Sequence, residues 1–386
     1  NNIHHLIKNP INIIGSDGKF STLRSLQFFI EENRQKISAF TSPHLYDVRH
    51  RFWLKNKYIS INELKQNIKT IEKLKVKLTL FELLTLAYYI SASKLKKISY
   101  SLVEAGLLFA GESTRVWDKP KCQIVTNINK QHLEWVKPRT LKEICRQKVG
   151  YLSKNTTIYI GKQNKKTMKI IKEILKKNPS KKIFHGDDWS LKETRKNIIY
   201  KDKIGQLEFK SKNIFSKGLW DNVGLSIKVA RDFNITNKVI LKAIPKIHFE
   251  GRMQYLNNGK LKKILQPVDQ LLIDGCHSES SAKNLANYLK NVDGDIYGIL
   301  GIQSNKQPEQ IIKQFKGIFK GIVAIKIPEE TNTCDPEVLK RIIKKYDIAC
   351  STASSVRLAF KQIANNKKKK LVVCFGSLYL VGKILS

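Results

Sequence analysis

Short apolar runs alternate along this chain with longer stretches in which apolar residues recur every three or four positions. A run of four or five β-branched residues is typical of a buried strand, and the three-to-four spacing is typical of a helix with one buried face. Regular alternation of the two predicts parallel sheets covered by helices. In the N-terminal half, the predicted strands are residues 11–14, 37–40, 101–103, 124–126 and 156–160, and the predicted helices are residues 22–30, 81–93, 141–151 and 167–175.

A second alternation of the same kind begins after Arg252. Four apolar residues from Ala282 to Leu289 lie at positions i, i+3, i+4 and i+7, which predicts a helix with a buried stripe. The length of 386 residues suffices for two domains, and Gly251 permits a hinge between them. We therefore predict an α/β fold in which a doubly wound, mostly parallel P-loop-type domain (residues 1–252) precedes a smaller Rossmann-like α/β domain (residues 253–386). Its predicted strands are residues 271–273, 296–300, 321–325 and 371–374.

The charge of the chain is strongly positive, with 71 Lys and Arg against 32 Asp and Glu and a net charge of +39. Such a field attracts polyanions of any kind, including nucleic acid and nucleotides. The lysines are spread over the whole chain, and the one tight run is Lys367 to Lys370. This spread favours a dispersed surface bias over a nucleic-acid groove. A nucleic-acid-binding protein remains an alternative that rests on net charge alone.

The six cysteines lie far apart, without a C-x-x-C pair or a zinc-like spacing with histidine, and we expect reduced core thiols. No apolar run approaches the roughly 20 residues that a membrane span needs, and no signal-peptide pattern is present. We therefore predict a cytoplasmic protein without a membrane partner. The chain begins at Asn1 rather than at a methionine, so we expect a trimmed or partial product.

The segment from Gly15 to Thr22 reads Gly-Ser-Asp-Gly-Lys-Phe-Ser-Thr and joins the first predicted strand to a helix. Backbone N–H groups of such a turn, together with the helix N-terminus, form an anion cradle that Lys19 completes. The segment departs from a strict P-loop, because Ile13 stands in place of the first glycine and Phe20 separates Lys19 from Ser21. A glycine-containing turn with an exposed lysine is the alternative.

Three polar side chains follow other predicted strands. Ser42 follows residues 37–40, Glu104 follows residues 101–103, and His132 lies shortly after residues 124–126. The carboxyl ends of parallel strands meet at one edge of a sheet, where such groups can hold a metal that bridges phosphates. Strand-ending turns, salt bridges and helix caps are the alternatives. Lys148 lies near the end of a predicted helix, and its position indicates only a favourable interaction with the helix C-terminus.

The order of these motifs along the chain resembles the folylpolyglutamate synthase and dihydrofolate synthase family of the Mur ligase superfamily. The match runs from Gly15 to Gly382, nearly the whole chain. The motifs that carry it are Gly-x-x-Gly-Lys-x-Ser-Thr, Thr-Ser-Pro-His-Leu, Phe-Glu-x-x-Thr, Glu-x-Gly-Leu, Thr-Asn-Ile-x-x-x-His, Lys-x-Gly, Gly-Arg-Met, Asp-Gly-x-His and Gly-Ser-Leu-Tyr-Leu-Val-Gly.

The resemblance implies a monomeric ligase that uses ATP and Mg²⁺ to join L-glutamate to dihydropteroate or a reduced folate through an acyl phosphate. It also implies a role for each matching residue. ATP would be held by Gly15, Gly18, Lys19, Ser21 and Thr22, by Asn222 at the adenine and by Arg252 at the phosphates. Magnesium would be held by Ser42, Glu104 and His132. Lys148 would be carbamylated, and Asp274 and His277 would face the acyl phosphate and the incoming glutamate.

Several positions depart from the family pattern, and they cluster near these motifs. Phe20 replaces a glycine, Gln131 replaces an acidic residue, Leu219 stands where a glutamine would meet adenine, and Ser278 replaces an asparagine. The segments 108–112 and 305–307 also differ from it. Two functions therefore remain open: a working ligase with unusual loops, or a weakened paralogue that binds nucleotide, folate or a partner without efficient ligation.

Overall fold

The computed structural model describes residues 3–194, 196–365 and 368–386. The chain folds into two compact units. The first unit comprises Asn1–Lys212 and Lys217–Ile247, and the second comprises Asn213–Ser216 and His248–Ser386.

A mixed sheet forms the centre of the first unit, in the order β4-β3-β2-β5-β1-β6-β7-β8. Strands β2, β5, β1, β6, β7 and β8 run parallel to one another. Strand β3 pairs antiparallel with β2, and β4 pairs antiparallel with β3. The predicted strands of this half are confirmed, within two residues at each end. Residues on both faces of β1 and β6 are buried. The two polar residues among them, Asn12 and Gln123, are joined by a hydrogen bond from Gln123 Nε2 to Asn12 Oδ1 at 3.3 Å. The strands are β1 (Pro10–Ile14), β2 (Ile37–Phe40), β3 (Phe52–Lys55), β4 (Lys57–Tyr58), β5 (Tyr100–Glu104), β6 (Cys122–Val125), β7 (Thr157–Ile160) and β8 (Lys182–Phe184).

Helices and a small antiparallel sheet complete the first unit. Side chains cap several helices; Thr79 and Glu82, for example, form a reciprocal capping box at the start of α3. The antiparallel sheet, in the order β11-β10-β9, was not predicted from the sequence. The elements are α1 (Lys19–Glu32), α2 (Ile61–Glu72), α3 (Leu80–Ser93), α4 (Leu141–Val149), α5 (Lys165–Leu175), β9 (Trp189–Glu193), β10 (Ile198–Asp202), β11 (Gly205–Phe209), α6 (Lys217–Asp232) and α7 (Asn237–Ala243).

The second unit contains a sheet in the order β12-β13-β17-β14-β15-β16, in which β12 alone among these strands is antiparallel to its neighbour. The predicted stripe from Ala282 to Leu289 is buried, which confirms that helix. The elements are β12 (Gln254–Tyr255), β13 (Gln270–Asp274), α8 (Glu279–Leu289), β14 (Asp295–Leu300), α9 (Pro308–Ile312), β15 (Gly321–Ala324), α10 (Pro336–Lys344), β16 (Ala349–Thr352), α11 (Val356–Ala364), β17 (Lys370–Phe375) and α12 (Leu378–Leu385).

The lysine run at the start of β17 is not uniformly exposed among its described residues. Lys370 is buried, and its Nζ lies 3.1 Å from Asp269 Oδ2 in an ion pair with no exposed side-chain area. Lys368 and Lys369 are exposed, and Lys367 lies outside the described residues. Lys370 therefore belongs to the core of the second unit rather than to its charged surface.

The cysteines are all free thiols, as predicted. Four of them are buried, but Cys334 and Cys350 are partly exposed, so these two are not core residues. Across residues 3–194, 196–365 and 368–386, no helix is both long and apolar enough for a transmembrane span.

Candidate functional site

The turn between β1 and α1 is shaped by a glycine in the left-handed region. Gly18 has φ of 87°, and a Cβ atom at this position would lie 2.5 Å from Asn222 Oδ1. The backbone N–H groups of Ser16 and Asp17 both donate to the carbonyl of Asn127, at 2.8 and 3.2 Å. Glycine is therefore required at position 18 by both conformation and space. Helix α1 begins directly afterwards, so Phe20 lies within its first turn.

Lys19 folds back over this turn. Its Nζ donates to the carbonyls of Gly15 and Ser16, at 3.2 and 3.3 Å. Ser21 Oγ accepts a hydrogen bond from Asn222 Nδ2 at 2.7 Å, which joins the start of α1 to α6. An ammonium group and a helix N-terminus thus lie together at the turn, an arrangement that favours anions. The glycine-turn alternative with a freely exposed lysine does not describe this geometry.

Thr22 takes a different position from the other predicted residues of the turn. Its side chain is completely buried, and its backbone N–H donates to the Gly18 carbonyl at 2.9 Å. Within the described parts of the chain, its Oγ1 has no hydrogen-bond partner. Thr22 therefore contributes to the helix start through its backbone.

Lys148 reaches the same turn from α4. Its side chain is buried, and its Nζ donates to the Gly15 carbonyl at 2.9 Å and also to the Leu107 carbonyl. Lys148 lies in the last turn of α4, as its position indicated, and its amine in addition bonds to carbonyls outside that helix. Burial, followed by the nearby Lys19 charge, lowers the pKa of Lys148 to about 7. A substantial fraction of this amine is consequently neutral at neutral pH.

Ser42 and Glu104 meet at the carboxyl edge of the sheet. Ser42 follows the end of β2, and Glu104 is the last residue of the neighbouring parallel strand β5. The Ser42 backbone N–H donates to Glu104 Oε2 at 3.1 Å. Glu104 is buried, with 2% of its surface exposed. The strand register also places Glu104 beside Ile13, near the end of β1 and so close to the turn.

His132 lies in the loop that follows β6, the strand on the other side of β1. Its φ is 61°, and its Nδ1 lies 3.9 Å from Glu134 Oε1. Among the residues that the structure describes, no three or more His, Cys, Asp and Glu side chains group to hold a metal. Glu104 and His132 therefore need other donors, such as the Ser42 hydroxyl, to complete a magnesium site.

Asp17, Asn129 and Gln131 form a hydrogen-bonded group that sequence reasoning missed. Asp17 Oδ2 accepts from Asn129 Nδ2 at 2.7 Å, and its Oδ1 accepts from Gln131 Nε2 at 2.9 Å. These bonds tie the turn to the loop that carries His132. The sequence did contain a signal for this group, because Asp17 lies between Gly15 and Gly18 in a predicted anion cradle. A carboxylate at such a position needs a hydrogen-bonding or charged partner.

The three predicted residues of the second unit surround Gly275. Arg252 Nη1 donates to the Gly275 carbonyl at 2.9 Å, and His277 Nδ1 lies 2.9 Å from the same oxygen. Since a carbonyl only accepts, His277 carries its proton on Nδ1, which leaves Nε2 as an acceptor in the neutral ring. Asp274 Oδ2 accepts from the Met253 backbone N–H at 2.8 Å, and burial raises the pKa of Asp274.

Ser278, the departure that follows His277, has a structural explanation. It is the N-cap of α8, and its Oγ accepts from the Ser281 backbone N–H at 3.2 Å. Serine and asparagine are both favourable N-caps. This replacement therefore preserves the start of the helix that follows His277.

Two family models match the chain. The Mur ligase middle domain matches residues 13–244, and the C-terminal domain of dihydrofolate synthetase matches residues 257–386. The first match alone covers more than half of the chain.

Individual proteins with similar sequences are enzymes of folate metabolism by name. The chain is 25% identical over 384 residues to the dihydrofolate synthase/folylpolyglutamate synthase of Buchnera aphidicola from Acyrthosiphon pisum, covering 97% of this chain and 88% of that protein. It is 23% identical over 407 residues to the dihydrofolate synthetase of Saccharomyces cerevisiae, covering 97% and 92%.

Solved structures share the fold across nearly the whole chain. FolC of E. coli in complex with DHPP and ADP superposes with a TM-score of 0.86 at 19% identity, covering 99% of this chain and 90% of that one. The bifunctional folylpolyglutamate synthase/dihydrofolate synthase of Yersinia pestis, complexed with AMPPNP and Mn ion, gives a TM-score of 0.86 at 17% identity with the same coverage. At these identities the structures establish a common fold.

Proposed function

Because the chain belongs to the folylpolyglutamate synthase and dihydrofolate synthase family of Mur ligases, we propose that it joins L-glutamate to dihydropteroate or a reduced folate. It is an ATP-dependent ligase. The observation that carries this function is the convergence of Lys19 and Lys148 on the Gly15 carbonyl, at the N-terminus of α1. The Lys19 ammonium at a helix N-terminus is suited to a phosphorylated substrate, and the Lys148 amine lies beside it.

The chemistry has two steps. The pteroate or folate carboxylate takes the terminal phosphoryl group from ATP and releases ADP, and the amine of glutamate then attacks the acyl carbon and displaces inorganic phosphate. Phosphoryl transfer depends on positioning and on neutralising charge. Lys19 and the N-terminus of α1 would supply positive charge within the first unit, while Ser21 and Asn222 would orient the nucleotide.

Ser42, Glu104 and His132 would together hold a divalent cation. Glu104 offers a carboxylate, Ser42 a hydroxyl and His132 an imidazole, and hard oxygen donors suit Mg²⁺. When bound, magnesium would neutralise the phosphate oxygens and so favour attack at phosphorus. The relatives' structures contain nucleotide and Mn ion, which agrees with this donor set.

Lys148 would strengthen this site as a carbamate. Its neutral amine attacks carbon dioxide, an N–C bond forms and a proton is released, so a buried amine becomes an anion. That charge would remove the repulsion with Lys19 and add an oxygen donor beside the turn. The lowered pKa of Lys148 supports this role, because only the unprotonated amine can react.

The first unit would form the nucleotide-binding domain, and the second unit would form the glutamate-ligase domain. In the latter, Asp274 and His277 would face the acyl phosphate and the amine of glutamate. With Nδ1 directed at the Gly275 carbonyl, His277 would accept a proton from that amine at Nε2. We further infer a cytoplasmic monomer that binds nucleic acid only weakly, through its dispersed lysines.

A product assay tests the function. The purified protein is incubated with ATP, Mg²⁺ and glutamate, and separately with dihydropteroate or with a reduced folate as acceptor; products are identified by mass. We expect ADP and one added glutamate with at least one acceptor, and none without ATP. ATP binding without product from either acceptor would instead identify a weakened paralogue.

A further inference from the structure

The segment 108–112, which departs from the family pattern, lies in the loop between β5 and β6 and ends at a carboxylate. Glu112 Oε1 accepts from the Leu107 backbone N–H at 2.7 Å, and its Oε2 accepts from Thr114 Oγ1 at 2.6 Å. Both oxygens of Glu112 are therefore engaged within the loop. A Cβ atom at Gly106 would lie 2.8 Å from Oε1, so a larger residue there would displace the carboxylate.

The same loop is fixed to the elements around it. The Ala110 backbone N–H donates to the Gln147 carbonyl of α4 at 3.0 Å, and the Thr114 carbonyl accepts from Asn12 Nδ2 of β1 at 2.9 Å. Phe109 is buried in the core against α4. Because these bonds hold the two sides of the loop, the Glu112 carboxylate has a defined place between them.

Lys148 depends on this loop for one of its two acceptors. Its Nζ donates to the Leu107 carbonyl, and Leu107 is the residue whose backbone N–H is held by Glu112. The other acceptor is the Gly15 carbonyl of the β1–α1 turn, at 2.9 Å. Lysine has a long and flexible stem, so the loss of one acceptor would let the buried amine move toward water.

The charge of Glu112 opposes a carbamate at Lys148. Burial, followed by the Lys19 charge, lowers the pKa of Lys148, whereas the Glu112 carboxylate raises it. A nearby negative charge also disfavours a second anion. By charge alone, a neutral residue at position 112 would therefore favour the carbamate, and any benefit from Glu112 must come from its geometry.

We propose that Glu112 is a positioning residue for Lys148, because it holds the Leu107 carbonyl where it accepts from the amine that becomes the carbamate. This inference rests on the proposed function, in which the carbamate supports ligation. In the reaction, the Lys148 nitrogen bonds to the carbon of carbon dioxide, one C=O π pair moves onto oxygen, and a proton from nitrogen passes to water. Glu112 takes part in none of these bond changes.

The fraction of Lys148 carbamate, measured by ¹³C NMR at limiting ¹³C-bicarbonate, tests the proposal, and the signal is identified by its loss in Lys148→Ala. Glu112→Ala removes both acceptors and should lower this fraction about fivefold. Glu112→Gln keeps an acceptor for the Leu107 N–H and lacks the charge, so it should retain at least the wild-type fraction. The matched control is Glu173→Ala, which removes an exposed carboxylate from α5 and should change the fraction less than about twofold.

Thr114→Val is a second test that conserves side-chain shape. It removes the hydroxyl that holds Glu112 Oε2 and should lower the carbamate fraction about two- to threefold. Thermal unfolding of every variant is measured alongside. If Glu112→Ala does not fold, an unchanged fraction in Thr114→Val overturns the proposal.

Three further results would overturn it: a wild-type carbamate fraction in folded Glu112→Ala, an equal loss in Glu112→Gln, or no Lys148 carbamate in the unchanged protein. Ligation by the unchanged protein is assayed separately. A carbamate that responds as expected without any product would leave the positioning role standing and refute the proposed function.

Discussion

The side-chain amide of Gln131 donates a hydrogen bond to the carboxylate of Asp17 over 2.9 Å. Asp17 lies in the β1–α1 turn, and Gln131 precedes His132 in the loop after β6. The family resemblance implies an acidic residue at position 131. Here position 131 is a glutamine, and the negatively charged partner in this hydrogen bond is Asp17 in the turn. The departure at Gln131 is thus paired with a carboxylate that can accept its hydrogen bond.

Exchanging the two partners tests this relationship. Asp17→Asn should lower kcat/KM for ATP about 3- to 10-fold, the equivalent of one hydrogen bond, because its new amide group faces the Gln131 amide. Gln131→Asp in the same chain should restore most of the loss, since the carboxylate then accepts from Asn at position 17. Steady-state kinetics of the two single variants and the double variant provide the measurement. A double variant no better than the worse single variant would show that the bond has no role in activity.

Lys19→Ala should reduce ligation by about 100-fold or more, because the ammonium is worth most where charge develops in the transition state. The Gly15 carbonyl keeps its hydrogen bond from Lys148 in this variant, so the fold should persist. Product formation and thermal unfolding are measured together. The matched control is Lys65→Ala on α2, which should leave product formation and thermal stability unchanged. Wild-type turnover in Lys19→Ala would rule out the interpretation of the β1–α1 turn as a phosphate-binding cradle.

Activity should respond to bicarbonate through Lys148. Its pKa is lowered to about 7, so the neutral, reactive amine increases as the pH rises through 7. Added ¹³C-bicarbonate should therefore give a carbamate signal that grows across this range and is missing from Lys148→Ala. That variant should lose about 10- to 100-fold in activity and recover partly with acetate. Full activity without acetate would contradict the carbamate.

The same shift predicts how stability depends on pH when carbon dioxide is removed. Between about 7 and the ordinary lysine value of about 10.4, Lys148 binds fewer protons in the folded chain than in the unfolded chain. The free energy of unfolding should consequently rise with pH over this window. Lys148→Met should flatten that rise in denaturant titrations, whereas the exposed Lys65→Met should not.

Lys370→Gln should destabilise the second unit by about 3 kcal/mol, because it leaves the Asp269 carboxylate buried without its charged partner. Lys368→Gln with Lys369→Gln should change stability little, since both side chains are exposed. Urea unfolding measures both variants. If Lys370→Gln with Asp269→Asn is as unstable as Lys370→Gln alone, the unpaired carboxylate is not the cause.

The sequence by itself determined the features that depend on neighbouring residues. An apolar run followed by Gly15, Gly18 and Lys19 specifies a strand, a turn and a helix, because each step follows from local conformation and periodicity. The stripe from Ala282 to Leu289 specified its helix for the same reason. Ordered motifs over nearly the whole length also identified the family.

Tertiary structure alone decided which distant side chains meet. Lys148 contacts the Gly15 carbonyl across 133 positions, Gln131 contacts Asp17 across 114, and the Lys370 backbone N–H contacts Asp269 across 101. Local periodicity assigns each of these residues to an element but carries no information about the order of the strands. In the first unit, the strand order places β1 between β5 and β6, so the loops that follow these three parallel strands lie next to one another. Burial then changes the chemistry, since it is the low-dielectric surroundings of Lys148 that lower its pKa.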